Sequence, residues 1–136
     1  MGYRSDVGYR SDVVCLMYGN NTPEDNAMVK EFIRVRLEAH KSTGIPVDDW
    51  FDFDGWGVKF ECRDWKWDDT YPEIKFLQEL FAEFDEAFID GNGDSTYALE
   101  FYRIGEEDDD IEFMRRGFIE GRMYISRSIV VDGKVV

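Results

Sequence analysis

The sequence predicts an α+β protein: an antiparallel-rich sheet with two helices on one face, in the ferredoxin-like order β-α-β-β-α-β-β. Three observations predict it. Residues 13–18 form an apolar run, two amphipathic segments each open on a proline-containing helix start, and Asp54-Gly55 separates two alternating strands. The chain has 136 residues, 43% hydrophobic and 16% aromatic, enough apolar matter for one core. No linker interrupts it, so residues 1–136 read as a single domain.

The elements follow in order. Gly2-Tyr3-Arg4-Ser5-Asp6-Val7 is repeated letter for letter at Gly8 to Val13. The second copy runs directly into Val13-Val14-Cys15-Leu16-Met17-Tyr18, whose apolar character on both faces suits a buried central strand. The first copy has no such run to lead into and reads as a duplicated extension over residues 2–7. Thr22-Pro23-Glu24-Asp25 supplies a capping hydroxyl, a proline at the first helical position and acids at the positive end of the dipole. Met28, Phe32, Val35 and Ala39 then recur at helical spacing, with Ile33 beside them, until Gly44 and Pro46.

Trp50 to Arg63 reads as a hairpin turning at Asp54-Gly55, with Phe53 opposite Trp56 and Phe51 opposite Val58. That register puts Phe51, Phe53, Trp56, Val58, Phe60 and Cys62 on a core face, and Asp52, Asp54, Lys59, Glu61 and Arg63 on a mainly solvated one. Thr70-Tyr71-Pro72-Glu73 has the form of a capping box before the second helix. In that helix Ile74, Leu77, Phe81, Phe84 and Phe88 make the core stripe, widened by Leu80 and Ala87. A turn-rich loop at 90–95, a strand from Tyr97 to Ile104, an acidic loop at Glu106 to Asp110 and a last strand from Arg122 to Val131 complete the chain.

Composition excludes several functions. The 30 Asp and Glu against 16 Lys and Arg leave a net charge of −14, which repels phosphates and anionic lipids. Direct nucleic-acid or membrane binding is not expected. No apolar run reaches the roughly 20 residues that span a bilayer, and no hydrophobic signal segment opens the chain, so a cytoplasmic location is expected. Cys15 and Cys62 read as small buried hydrophobes, bridged only if their strands are neighbours.

Catalytic and cofactor motifs are equally sparse, and neither enzymatic activity nor a cofactor or metal is expected. Gly19-Asn20-Asn21-Thr22-Pro23 has neither the glycine spacing nor the lysine of a phosphate loop. His40, the one histidine, has no nucleophile in an elbow motif and suits a helix C-terminus. Asp90-x-Asn92-x-Asp94 begins like a calcium loop but has Ser95 where glycine is needed and Phe101 where a bidentate glutamate is needed. Asp52 and Asp54 read as solvated acids beside a turn. An RNA-recognition reading fails because the aromatics of residues 56–62 belong to the core face.

The acidity itself remains. Glu106, Glu107, Asp108, Asp109 and Asp110, together with Glu79, Glu83 and Glu86 of the second helix and the loop at Asp90 to Asp94, are expected to form a continuous anionic surface. A charge run is most often a solvated face. The sharper reading is a set of carboxylates that imitates nucleic-acid phosphates and occupies a basic groove. Arg115, Arg116, Arg122 and Arg127 gather near the C-terminus and would make the molecule electrically lopsided.

Several fragments resemble those of small bacteriophage and prophage proteins that begin Met-Gly-Tyr-Arg-Ser-Asp/Glu-Val. They are the opening hexamer, Lys66-Trp67 with Tyr71-Pro72-Glu73, Arg103-Ile104-Gly105-Glu106 with Asp109-Asp110-Ile111-Glu112, and Tyr124-Ile125-Ser126-Arg127. The resemblance brings no catalytic residues with it. It implies a protein of the host cytoplasm that binds and inhibits a host nucleic-acid-handling or defence protein, anti-CRISPR-like, through its acidic face. A homo-oligomeric phage structural or assembly protein, such as a homodimer with exposed sheet residues like Trp50 and the strand edges as its self-interface, is the alternative from another class. A small-molecule-binding domain is a third.

Overall fold

Val13 to Tyr18 form the middle of the first strand, β1 (Ser11–Gly19), and have almost no exposed surface on either side. In this computed structural model the described residues are 10–19, 22–41, 50–89, 96–107, 109–117, 123–125, 129–131 and 134–135. After β1 come α1 (Pro23–His40), β2 (Phe51–Asp54), β3 (Gly57–Trp65), α2 (Pro72–Phe88), β4 (Tyr97–Gly105) and β5 (Ile111–Gly117). Three short strands follow, β6 (Met123–Ile125), β7 (Ile129–Val131) and β8 (Lys134–Val135).

The predicted α+β class is the observed one: an antiparallel sheet with both helices on one face. The sheet runs β2-β3-β1-β4-β5, one strand more than the four of a ferredoxin-like sheet. Each helix joins strands that have another strand between them. The last three strands form a separate sheet, β6-β7-β8, where the sequence predicts one continuous strand.

On the helix side, Val13, Cys15 and Met17 of β1 meet Val58 and Phe60 of β3, Leu99 and Phe101 of β4, and the buried stripes of both helices. Phe60 is the hub of this core. Its ring lies 5.2 Å from Phe51, 5.7 Å from Phe81, 6.1 Å from Trp67 and 6.2 Å from Trp65. Each such buried ring contributes about 1.5–3 kcal/mol of hydrophobic stabilisation. On the other side, Val14, Leu16, Tyr18, Ala98, Tyr102 and Ile104 pack with Ile129 and Val131 of the second sheet. The two-sided burial expected of Val13 to Tyr18 is thus observed, and the face left mainly to solvent in the β2–β3 hairpin is covered over β1 and β4 by a second core.

Several local expectations shift. Thr22 caps α1 as expected, its hydroxyl accepting from Asp25 N–H at 3.1 Å. The buried stripe of α1, however, is Asn26, Val29, Ile33 and Leu37, while Met28 and Val35 are exposed. Two stripes one residue apart have the same periodicity. The buried Asn26 sits on the observed one, accepting from Gly19 N–H at 2.9 Å and donating to the Gly55 carbonyl at 3.1 Å. The capping box of α2 does not form: Tyr71 is the N-cap and makes no side-chain cap, because helix and proline start one residue later than Thr70 requires. In the α2 stripe, Leu80 is buried and Ala87 is exposed.

The hairpin register also moves. Phe53 pairs with Val58 and Phe51 with Phe60, so the turn is Gly55-Trp56 and Trp56 packs with Tyr18 on the other face. Gly57 explains the move. It lies opposite Tyr18 at φ 152°, where a Cβ would come within 2.5 Å of the Met17 carbonyl oxygen, so glycine must occupy this pairing position. Cys15 and Cys62 lie on neighbouring strands but face Phe60 and Val13 respectively, and both are free thiols. The first hexamer copy and the loop at 90–95 lie outside the described residues.

Candidate functional site at one end of the sheet

The start of β1, the end of β3, the start of α2 and the β4–β5 turn meet at one end of the sheet. A bulge shapes this end. The β1–β3 register shifts between Ser11 and Val13, and Asp64 takes a left-handed φ of 60°, which aspartate tolerates better than most residues. The Asp64 N–H donates to Asp12 Oδ1 at 2.9 Å, and its carbonyl accepts from Arg10 Nη1 at 2.9 Å. The extra residue returns Trp65 to the helix side, where it meets Trp50 edge-on at 4.3 Å. Trp50 is thus packed against its neighbour rather than displayed on an exposed sheet face. The next turn is closed by Tyr71 N–H on the Asp68 carbonyl at 3.0 Å and by Thr70 N–H on Asp68 Oδ1 at 2.9 Å.

Two clefts open there and share Lys66. One, of about 330 Å³, lies between Arg10, Trp50, Trp65, Tyr71 and the first turn of α2 at Glu73. The other, of about 400 Å³, is polar, with Asp68, Asp69, Asp110 and Glu112 around Arg103. Arg103 organises the second. It holds Asp110 Oδ1 at 2.8 Å, Glu112 Oε1 at 2.9 Å and Ser11 Oγ at 3.0 Å. Burial works against its charge, but the hydrogen bonds and fields of Asp110 and Glu112 outweigh that and raise its pKa. The guanidinium therefore pins the C-terminal end of the acidic turn, where it enters β5, to the sheet.

The expected acidic residues divide. Glu106, Glu107 and Asp109 are exposed on the β4–β5 turn, Asp110 is half-buried on Arg103, and Asp108 lies outside the described residues. Glu106 accepts from the Arg10 backbone N–H at 2.8 Å. Glu79, Glu83 and Glu86 are exposed along another stripe of α2, and Glu83 turns toward α1 to pair with Arg36 at 2.8 Å. By contrast Gln78 and Asp85 face the β5 side, Gln78 lining the polar cleft and Asp85 holding Arg116 at 2.9 Å. The helix acids and the turn acids thus lie on different sides of α2. What joins the turn instead is Asp68, Asp69 and Glu112. Asp68-Asp69 was legible in the sequence as an acidic pair before a helix start, but their approach to a turn some forty residues later depends on the sheet order.

The basic cluster also divides. Arg115 and Arg116 are consecutive in a strand and so point to opposite faces: Arg115 donates to Tyr102 Oη at 2.6 Å, and Arg116 pairs with Asp85. Arg122 and Arg127 lie outside the described residues. His40 stacks on Phe76 of α2, ring centres 3.7 Å apart, which gives it a packing role between the helices. Among the described residues no group of three or more His, Cys, Asp and Glu side chains is placed to hold a metal ion. No described helix is long and apolar enough to cross a membrane. The chain matches no family model, no curated protein and no solved structure in the comparisons made.

Proposed function

We propose that the chain is a non-enzymatic binding protein that docks the acidic end of its sheet on a cationic protein surface of the kind that holds nucleic-acid phosphates. One observation carries this reading. The fold brings Asp68 and Asp69 to the same cleft as the acidic turn, whose C-terminal end is held by Arg103 on Asp110 and Glu112 and whose other end is held by the Arg10 N–H on Glu106, so the carboxylates form a held array and not a loose tail. A held array docks with less entropy loss than a flexible one, and the net charge of −14 steers it toward basic partners. The resemblance to small phage proteins supports a host nucleic-acid-handling or defence protein as the partner, with inhibition by occupation of its groove. No direct contact with nucleic acid enters this reading.

The test is capture of the partner from host lysate at low and high salt, followed by titration with the identified protein. Glu107→Lys/Asp109→Lys and Asp69→Lys should each abolish capture without changing the melting temperature, and duplex DNA should displace the wild-type chain from its partner. Binding that is indifferent to salt and to both charge reversals would overturn the proposal.

A further inference from the structure

We infer that β5 is a self-pairing edge: two copies of the chain join antiparallel along Ile111–Gly117, about a two-fold axis at Met114. The two edges of the five-stranded sheet are unlike. β2 is four residues long and carries Asp52 and Asp54, features that discourage edge pairing. β5 is seven residues long, has neither proline nor lysine, and keeps an unbroken register with β4 from Ile104 opposite Ile111 to Ala98 opposite Gly117. It also exposes large apolar side chains at Ile111 (40%), Phe113 (63%) and Met114 (43%). Among the described residues, no strand pairs with its outer side.

The second copy is chosen by register and charge. Gly105 N–H donates to the Asp110 carbonyl at 2.8 Å, which directs the main-chain groups of residues 110, 112, 114 and 116 toward β4. Those of 113, 115 and 117 consequently point to the open edge, as does the Ile111 carbonyl, while the Ile111 N–H turns back to donate to the Asp109 carbonyl at 3.1 Å. Antiparallel pairing about Met114 sets Phe113 opposite the partner's Arg115 as a hydrogen-bonded pair and Ile111 opposite the partner's Gly117. On the helix side it sets Glu112 opposite the partner's Arg116, on each flank of a Met114–Met114 contact.

Opposite charges and a ring beside a guanidinium both favour that arrangement. Glu112 is already held by Arg103, and Arg116 by Asp85, so the pairing continues a row of alternating sign from one copy into the next. Moving the partner two residues one way sets Arg115 against Arg115. Moving it two the other way separates Glu112 from Arg116 and shortens the pairing. β5 has one acid and two arginines, so two molecules of charge −14 meet along a seam that is not itself acidic.

The inference is independent of the proposed docking and has the opposite salt dependence. Added salt screens the repulsion between two acidic molecules, so self-association should strengthen where partner capture weakens. Sedimentation of the wild type should show a shift from 16.0 kDa toward twice that mass with rising concentration. Met114→Lys, which sets two cations face to face, should weaken the dimer at least about fivefold while leaving the melting temperature unchanged at dilutions where both proteins are monomers. Met114→Cys supplies a second, register-specific test. A non-hydrogen-bonded antiparallel pair has Cα atoms about 4.5 Å apart, within reach of a disulfide, and the native thiols are buried. Mild oxidation should therefore convert Met114→Cys to a covalent dimer, whereas Ala82→Cys on the exposed side of α2 should stay monomeric. A wild type of constant mass, or cross-linking no faster at 114 than at 82, would overturn the inference.

Discussion

Tyr18 donates its phenolic hydrogen bond to the Glu100 carboxylate between the two sheets, where neither residue has any exposed surface. A buried carboxylate is tolerated only while donors satisfy it, so this contact makes β1 and β4 dependent on one another beyond their main-chain ladder. Tyr18→Phe should cost about 1–3 kcal/mol in urea denaturation by leaving the carboxylate short of a donor. Tyr18→Phe/Glu100→Gln should cost less than the sum of its two single substitutions, since it removes the donor and the charge that needs it together. Strict additivity would show that the two side chains do not share an interaction.

The glycines of the β2–β3 hairpin should behave unequally. Gly57→Ala forces a Cβ into the Met17 carbonyl at a backbone angle that side chains avoid, and should lower stability by about 2 kcal/mol or more. Gly55→Ala places its Cβ where nothing lies within 4 Å, and should change stability by less than about 1 kcal/mol. Equal melting temperatures for the two variants would contradict the observed register.

The rotation of α1 can be tested in the same way. Ile33→Ala should cost about 2–5 kcal/mol, because a buried methyl-rich side chain leaves a cavity. Val35→Ala, on an exposed position, should stay within about 0.5 kcal/mol of wild type. Chemical denaturation of both variants distinguishes the observed stripe from the one that begins at Met28.

Stability should fall at alkaline pH through the two thiols. Burial raises the pKa of Cys15, with the Glu100 charge adding to it, and burial likewise raises that of Cys62, from an ordinary value of 9.0 in each case. The folded protein then keeps these protons to higher pH than the unfolded chain does. Their contribution is complete below pH 9.0 and is lost above it, by up to about 1.4 kcal/mol per pH unit for each thiol. Denaturation midpoints of wild type and Cys15→Ala/Cys62→Ala should converge above pH 9.0; parallel curves would refute the assignment.

Much of the fold was legible in the sequence because its signals are local and strong. The two-sided apolar run at Val13 to Tyr18, the Thr22-Pro23 helix start and the Ile74-Leu77-Phe81-Phe84 stripe each state their own structure. β5 was not legible: Ile-Glu-Phe-Met-Arg-Arg-Gly has no clean alternation, since an edge strand exposed on both sides has no core to impose one. The choice between two α1 stripes depended on Asn26 reaching Gly19 and Gly55, contacts made only after folding. The candidate site was half legible. The turn acids stand together in the chain, but their association with Asp68 and Asp69, and their separation from Glu83, follow from strand order and helix orientation.

The central strand, covered on both faces and flanked by β3 and β4, has a kinetic consequence. Solvent can reach the amide groups of Val13 to Tyr18 only after the helical layer or the small C-terminal sheet has come away and a neighbouring strand has parted from β1. In deuterated water these amides should be the last to exchange, at the rate of whole-molecule opening, and they report the unfolding equilibrium of the entire protein from six consecutive residues.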